Sequence, residues 1–372
     1  MTIFPLNLRS GGFSAMSAAA FNAISKLGDI HYVGPVAPPV VLRQKLLSKL
    51  LRIAGLRGDF FCFSEHRLRA IADAVQAECN TAADLDYFHG FTPWILIEPQ
   101  RPYIARSDCT FRDYIDIYHC REHFNAKDIK RIETTEAAWL KKAQQVLFTS
   151  EWAARRATHD YALDSSRVRV VGIFGEVDPP LRDTYAGSKQ FVFISTNFES
   201  KGGRVVLSAF RKLKKLKPDA SLVVVGDRPP DVLSENGVNF TGYLRKENPR
   251  EYARFREILS GALALVHLTR ADVSPHVIVE AGYFGCPAIA SRRFAIPELV
   301  DDGRSGILLD EPENVNAVVG AMLRMLEREN YHGLRQAVWA KAHGQHSKAQ
   351  FEERLLSYVR EVVSDMKRVP PV

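Results

Sequence analysis

ALALVHLTRADVSPHVIVEAGYFGCPAIAS, residues 262–291, begins with a nearly unbroken apolar run, crosses a polar loop, enters a helical pattern and ends in a second short apolar run. A run of this length bounded by turn residues reads as a strand covered on both faces, and strand–helix–strand order means a parallel pair. The helix ends are explicit. Ser274 is an N-cap residue, Pro275 fits the first helical position, Gly285 suits the left-handed position after the helix, and Pro287 blocks its continuation. Working outward, FVFIST (191–196), SLVVVG (221–226) and VNFTGY (238–243) alternate with helical patterns at Arg204–Leu216 and Arg250–Leu259. The first half repeats the theme more faintly, with strand candidates at Thr2–Phe4, DIHYV (29–33), DLDYFH (84–89), PYIAR (102–106), VLFTS (146–150) and RVRVV (167–171). The expected class is α/β, with two doubly wound domains facing a central cleft. Gly172–Ser188, rich in Gly, Pro and Asp, reads as the linker between a domain at 1–178 and another at 189–349. A last helix, within about 350–372, is placed to cross back onto the first domain.

Ligands of open parallel sheets bind beyond the carboxyl ends of the strands, so the loop after ALALVHL is the first candidate site. Asp272 lies at the helix's positive end, and Glu280 follows eight positions later, inside the helix. A carboxylate accepts two hydroxyl hydrogen bonds at once, which suits one of them to a sugar and the other to a ribose. The plainer reading is that Asp272 caps the helix and Glu280 faces water. STNFESKGG (195–203) forms the second loop. Lys201 followed by Gly202 and Gly203 opens a helix there, and such glycines let a backbone approach a diphosphate while the ammonium neutralises it.

Asp272-x7-Glu280, continued by AGYFGCPAIAS and IPELVDDGRSGILL, resembles the nucleotide-sugar signature of the family 4 glycosyltransferases over nearly all of Phe191–Glu327. The resemblance implies the two-domain, Rossmann-like GT-B fold and transfer with retention of anomeric configuration. It implies Asp272 on the donor sugar, Glu280 on the ribose, Lys201 and Gly202 on the diphosphate, and a hydroxyl residue at Thr269. Ser274, Pro275 and His276 at the helix start complete the expected donor site. Where the family carries an arginine, five residues before the lysine, this chain has Thr196, and Arg228 or Arg270 is the candidate replacement. NLRSGGFSAM (7–16), GPVAPP (34–39), SDCTF (107–111) and TSEWAA (149–154) carry a looser resemblance through the first half. It implies Gly11 and Gly12 in a loop under the donor, and His89 and Asp108 at strand ends near the reacting sugar. The expected catalytic set is thus His89, Asp108, Lys201 and Asp272. No cofactor and no metal are expected, because no D-x-D motif stands in the donor loops to hold one and the leaving diphosphate calls for cations and aimed donors.

The chain has 372 residues, 46% hydrophobic and 25% charged, with a net charge of +7. These are globular values; the basic balance favours an anionic partner, and no recognised nucleic-acid module accompanies it. Five scattered cysteines suit a reducing compartment, no apolar run approaches the roughly 18 residues of a spanning helix, and Gly11–Ile24 lacks a basic leader, so a cytoplasmic address is expected. VVLRQKLLSKLLRIA (40–54) separates into Leu42, Leu46, Leu47, Leu50, Leu51 and Ile53 on one side and Lys45, Ser48, Lys49 and Arg52 on the other, with Arg43 out of place. Such a helix either packs its apolar face into the core or lies on an anionic membrane surface beside a lipid-linked acceptor. His119–His123, HCREH, matches an inverted zinc-protease pattern but lacks a further ligand nearby. The overall expectation is transfer from a nucleotide-sugar donor to a glycan or lipid-linked acceptor; the alternative is a catalytically silent nucleotide-sugar-binding protein of the same fold.

Overall fold

The computed structural model describes all residues except 4–5, 7–11, 80–81, 233–234 and 369–372. The chain forms two compact units: the first runs to Gly172, the second from Ile173 to Phe351, and Glu352 onward returns to the first.

The first unit contains α1 (Gly12–Ile24), α2 (Leu42–Ile53), α3 (Glu65–Glu78), β1 (Asp86–His89), β2 (Tyr103–Ser107), α4 (Phe111–Tyr118), α5 (Ala126–Lys142), β3 (Gln145–Phe148), α6 (Glu151–Tyr161) and β4 (Val168–Val170). Its strands pair in parallel in the order β1-β2-β3-β4. The expected strands at Thr2–Phe4 and DIHYV are not regular strands among the described residues. Their backbones still join the sheet edge, since His89 N–H donates to Met1 O at 3.0 Å and Thr2 N–H to Val33 O at 3.1 Å. The core is strongly aromatic: Phe88 packs on Trp94, Tyr103 and Trp139, and Phe60 on Phe111 and Phe124.

The second unit contains β5 (Gln190–Ser195), α7 (Gly203–Leu216), β6 (Ser221–Gly226), β7 (Val238–Gly242), α8 (Pro249–Ser260), β8 (Ala264–His267), α9 (His276–Tyr283), β9 (Ala288–Ser291), α10 (Ile296–Leu299), β10 (Gly306–Leu309), α11 (Val315–Leu326) and α12 (Tyr331–Gln345). Its six parallel strands run β10-β9-β8-β5-β6-β7. Read from the other edge this is 3-2-1-4-5-6, the doubly wound order, whose topological switch point falls between β5 and β8. Alternate residues feed two separate cores. Phe191, Phe193, Leu222 and Val224 join one, while Val192, Val223, Val225 and Leu265 join the other. With both faces buried, the middle positions of β5, β6 and β8 are all apolar, which is why these strands read as continuous runs.

The segment expected to be a linker is part of the second unit from Ile173, so the transition comes before the expected boundary at 178. Ile173 and Val177 are buried in its core, and Arg335 pairs with Asp183 at 2.6 Å. The Pro and Asp residues that suggested a loose connection instead lie in an extended strap, whose backbone and side chains are bonded to the body of the unit. The last helix, α13 (Lys348–Arg368), packs with the first unit from Glu352. Glu352 accepts from Lys26 at 2.6 Å, and the Tyr358 hydroxyl donates to Val170 O at 3.2 Å.

Candidate functional site

Two loops leave neighbouring strands at the switch point of the second sheet, one after β5 and one after β8. Gly202, with φ of 80°, turns the first loop into α7, and a Cβ there would meet Leu268 O at 2.5 Å. Only glycine fits so close to the second loop. Lys201 is thereby delivered to Asp272: its Nζ lies 2.5 Å from Oδ2 and donates to Ala271 O at 2.8 Å. Two residues 71 positions apart in sequence form one ion pair over the strand ends.

Beneath that pair lies a group not foreseen from the sequence. His267, the last residue of β8, is fully buried with Nε2 3.8 Å from Asp272 Oδ2, and neither ring nitrogen has a hydrogen-bond partner. Burial lowers its pKa to about 4, with the Lys201 charge acting in the same direction and Asp272 against them, so the ring is neutral near pH 7. The only sequence signal was a histidine inside an otherwise apolar strand.

Thr269 is fully buried and serves the loop itself: its hydroxyl accepts from Ala271 N–H at 3.1 Å, and its carbonyl accepts from Ser291 at 3.0 Å. Thr196 is exposed immediately after β5. The exposed Arg228 lies over the Phe240 ring at 5.4 Å, whereas Arg270 donates to Glu199 O at 2.8 Å, on the same loop as Lys201.

Helix α9 begins one residue later than its sequence suggests. Pro275, rather than Ser274, occupies the N-cap without a side-chain cap, and Ser274 lies buried just before it. A proline ring holds φ near the extended value a cap needs, so it serves either position. The other end is as expected: Gly285 has φ of 67°, Cys286 N–H reaches Ala281 O at 3.0 Å, and Gly285 N–H reaches Gly282 O at 2.9 Å, a Schellman closure. His276, the first helical residue, is turned to Phe174 O, 2.7 Å from its Nδ1.

Glu280 does not face water. It is buried, and its Oε1 accepts from Lys246 Nζ at 2.5 Å and from Glu176 N–H at 2.9 Å. Burial alone would lower the Lys246 pKa, but Glu280 and Glu176 together overcome it and hold the ammonium above its ordinary value. The Glu176 carboxyl is pushed up to about 7, first by burial and then by the neighbouring Glu280, while Lys246 opposes the shift. Neither Lys246, in the loop after β7, nor Glu176, in the supposed linker, stood out in the sequence, because nothing in their spacing links them to Glu280.

In the first unit, His89 and Arg106 are register partners at the ends of β1 and β2, both buried, with Nε2 and Nη1 3.3 Å apart. Burial lowers the Arg106 pKa. His89, at its strand end, is therefore enclosed against an arginine; Asp108, half-buried just beyond β2, accepts from Ser107 at 3.3 Å. Gly11 lies outside the described residues, and Gly12 is the first residue of α1. In the HCREH stretch, α4 ends at Tyr118, His119 stands among the rings of Phe60, Tyr114 and Phe124, and a short 3₁₀ turn follows, so the two histidines do not share a helix face. Among the described residues, no group of three or more His, Cys, Asp or Glu is gathered where a metal could be held.

Residues 182–342 match the glycosyl transferases group 1 family. The chain is 28% identical over 181 residues to a phosphatidyl-myo-inositol mannosyltransferase of Mycolicibacterium smegmatis, covering 45% of this chain and 44% of that protein. It spans about half the length of the curated relatives it matches. Among solved structures, the sucrose-phosphate synthase of Thermosynechococcus elongatus superposes with a TM-score of 0.69 at 15% identity, over 96% of this chain and 94% of that one. Anabaena HepE in complex with UDP-glucose gives 0.58 at 17% identity, over 79% and 82%. At such identities the structural likeness is one of fold. Taken with the 3-2-1-4-5-6 sheet and its two loops, these matches place residues 182–342 in the glycosyl transferases group 1 family, on a chain with the two-domain GT-B fold.

Proposed function

We propose that this chain is a glycosyltransferase that takes its sugar from a nucleotide-sugar donor, retains the anomeric configuration and needs no metal. The observation that carries this reading is the meeting of Lys201, Asp272 and the start of α9 at the switch point of the second sheet. Departure of a nucleoside diphosphate develops negative charge on phosphate oxygens. An ammonium and the unpaired N–H groups of a helix start are the groups that stabilise it. In this reading Lys201 moves its charge from Asp272 onto the diphosphate, and Asp272 then accepts hydroxyls of the donor sugar. The ribose hydroxyls fall in this reading to Oε2 of Glu280, since its Oε1 is engaged by Lys246 and Glu176. Arg270, bonded to the Lys201 loop through Glu199 O, is better placed than Arg228 to supply the charge that Thr196 does not. The family match over 182–342 and the UDP-glucose bound by a protein of like fold support a nucleotide-sugar donor.

The acceptor is a glycan or lipid-linked sugar of surface polysaccharide or glycoconjugate synthesis, and the protein works in the cytoplasm at the inner face of the membrane. A thermal-shift screen over UDP-, GDP- and ADP-sugars tests the donor site, because a ligand that binds only the folded state raises its melting temperature. One nucleotide should give a selective shift that Glu280→Ala abolishes; an undiminished shift in that variant would remove the ribose assignment. Thr196 in place of a cation favours a second reading, a silent donor-binding protein. Donor binding with no slow release of free sugar would support it.

A further inference from the structure

We infer that the outward face of α2 is a docking surface for an anionic lipid bilayer. A helix on a globular protein turns its apolar stripe toward the core. Here the arrangement is inverted. Ser48 is the buried residue of α2, and its hydroxyl donates to Asp59 O at 2.8 Å. The chain at Gly58 passes so close beneath that a Cβ there would meet Ser48 Oγ at 2.5 Å. On the same inward side, Arg52 donates to Ser48 O at 3.3 Å and spreads over the Phe124 ring at 5.3 Å. The polar stripe thus seats the helix. Leu42, Leu46, Leu47, Leu50, Ile53 and, just past the helix, Leu56 are left 58–84% exposed. They are six of the eleven large hydrophobic residues exposed among the described residues, gathered within 15 positions. A patch of this kind marks an interaction surface.

Charge selects the occupant. Arg43, Lys49 and Arg57 are exposed beside these leucines, and the sequence from Val40 to Gly58 contains no Asp or Glu. Leucines flanked by cations match an interface whose interior is hydrocarbon and whose rim is phosphate. The helix would lie in the plane of the leaflet, its leucines at the acyl boundary and its cations among the headgroups. Among the described residues no helix is long and apolar enough to cross a membrane, so this face would hold the protein on a bilayer without spanning it. The inference rests on α2 alone and stands whatever the donor.

The full chain should co-sediment with vesicles of phosphatidylglycerol and phosphatidylcholine at low salt, more weakly in high salt, and hardly at all with phosphatidylcholine alone. Leu46→Gln/Leu50→Gln should lower the partition coefficient by roughly tenfold or more, and Arg43→Glu/Lys49→Glu should remove the preference for anionic vesicles. These side chains are exposed, so circular dichroism and the melting temperature should stay as in the parent protein. Absence of binding to anionic vesicles, or binding that the leucine variant retains in full, would overturn the inference. A dimer in sedimentation velocity that Leu46→Gln/Leu50→Gln disperses would also overturn it, by making the face a contact between two copies.

Discussion

Two lysine–carboxylate pairs of the same length, 2.5 Å, lie in the second unit and differ in what surrounds them. Lys201 and Asp272 are 15% and 23% exposed, on loops at the switch point; Lys246 and Glu280 are 16% and 4% exposed, and Glu280 is also gripped by the Glu176 backbone. A pair reached by water from both sides costs little to open, because solvent or a ligand phosphate can replace the lost partner. A pair with one buried member cannot be opened without stranding a charge. The first is therefore suited to hand its cation to an arriving anion, and the second to hold one carboxylate in a fixed position. Each also sits beside a group displaced from its ordinary ionisation, and the two displacements have opposite signs.

The largest expected effect bears on the exchangeable pair. Lys201→Ala should lower kcat by about 10²- to 10³-fold with whichever nucleotide sugar gives the largest thermal shift, as expected for loss of a group that meets developing charge. A change in KM alone, with kcat intact, would break the distinction by making Lys201 a plain anchor. Glu280→Ala comes next. Besides losing the donor shift, it strands Lys246, and urea denaturation should show a loss of roughly 3 kcal/mol. Lys201→Ala should cost clearly less in the same measurement; equal losses would mean that burial does not separate the two pairs.

The pH dependence of stability sharpens the contrast. His267 has a folded-state pKa of about 4, below its unfolded value, so the unfolded chain binds more protons between about pH 4 and 6.5 and stability rises with pH there. Glu176, raised to about 7, has the reverse sign: the native state holds the extra proton from about pH 4.5 to 7, and stability falls as pH rises through that window. Denaturation curves at several pH values should show Glu176→Gln steepening the rise and His267→Gln reducing or reversing it, each by on the order of 1–2 kcal/mol across the window. Identical pH profiles in the two variants would remove the opposition. The smallest effect is expected from Thr196→Arg, which restores a cation on the loop after β5. It should tighten donor binding by a few-fold, on the order of 1 kcal/mol for a partly exposed charge pair, measured by calorimetry; unchanged affinity would mean that Arg270 already fills the role.

Much of the second unit was legible in advance because parallel strands covered on both faces carry their burial in every residue. FVFIST, SLVVVG and ALALVHL lie on observed strands for that reason, and Gly285 closes α9 because few residues other than glycine tolerate its φ. The first unit was fainter at its edge. Thr2 and Val33 exchange too few backbone bonds to make strands, and the pattern of β-branched residues does not report that. The site divided along the same line. Asp272 and Lys201 stand in loops after buried strands, which the order of elements singles out. Lys246 and Glu176 come from loops without periodicity, and only folding brings them to Glu280.

Sequence by itself determined the α/β class, the strand and helix order of residues 190–291, the loops after β5 and β8, and the amphipathic character of α2, because each follows from the local period of apolar residues or the φ a residue permits. Only the tertiary structure decided that Lys201 reaches Asp272, that Glu280 is buried on Lys246, that His89 is enclosed against Arg106, and that α2 turns its leucines outward. These are contacts between segments far apart in the chain, and their energies depend on which surfaces are left exposed after the sheets have closed, a quantity no local pattern contains.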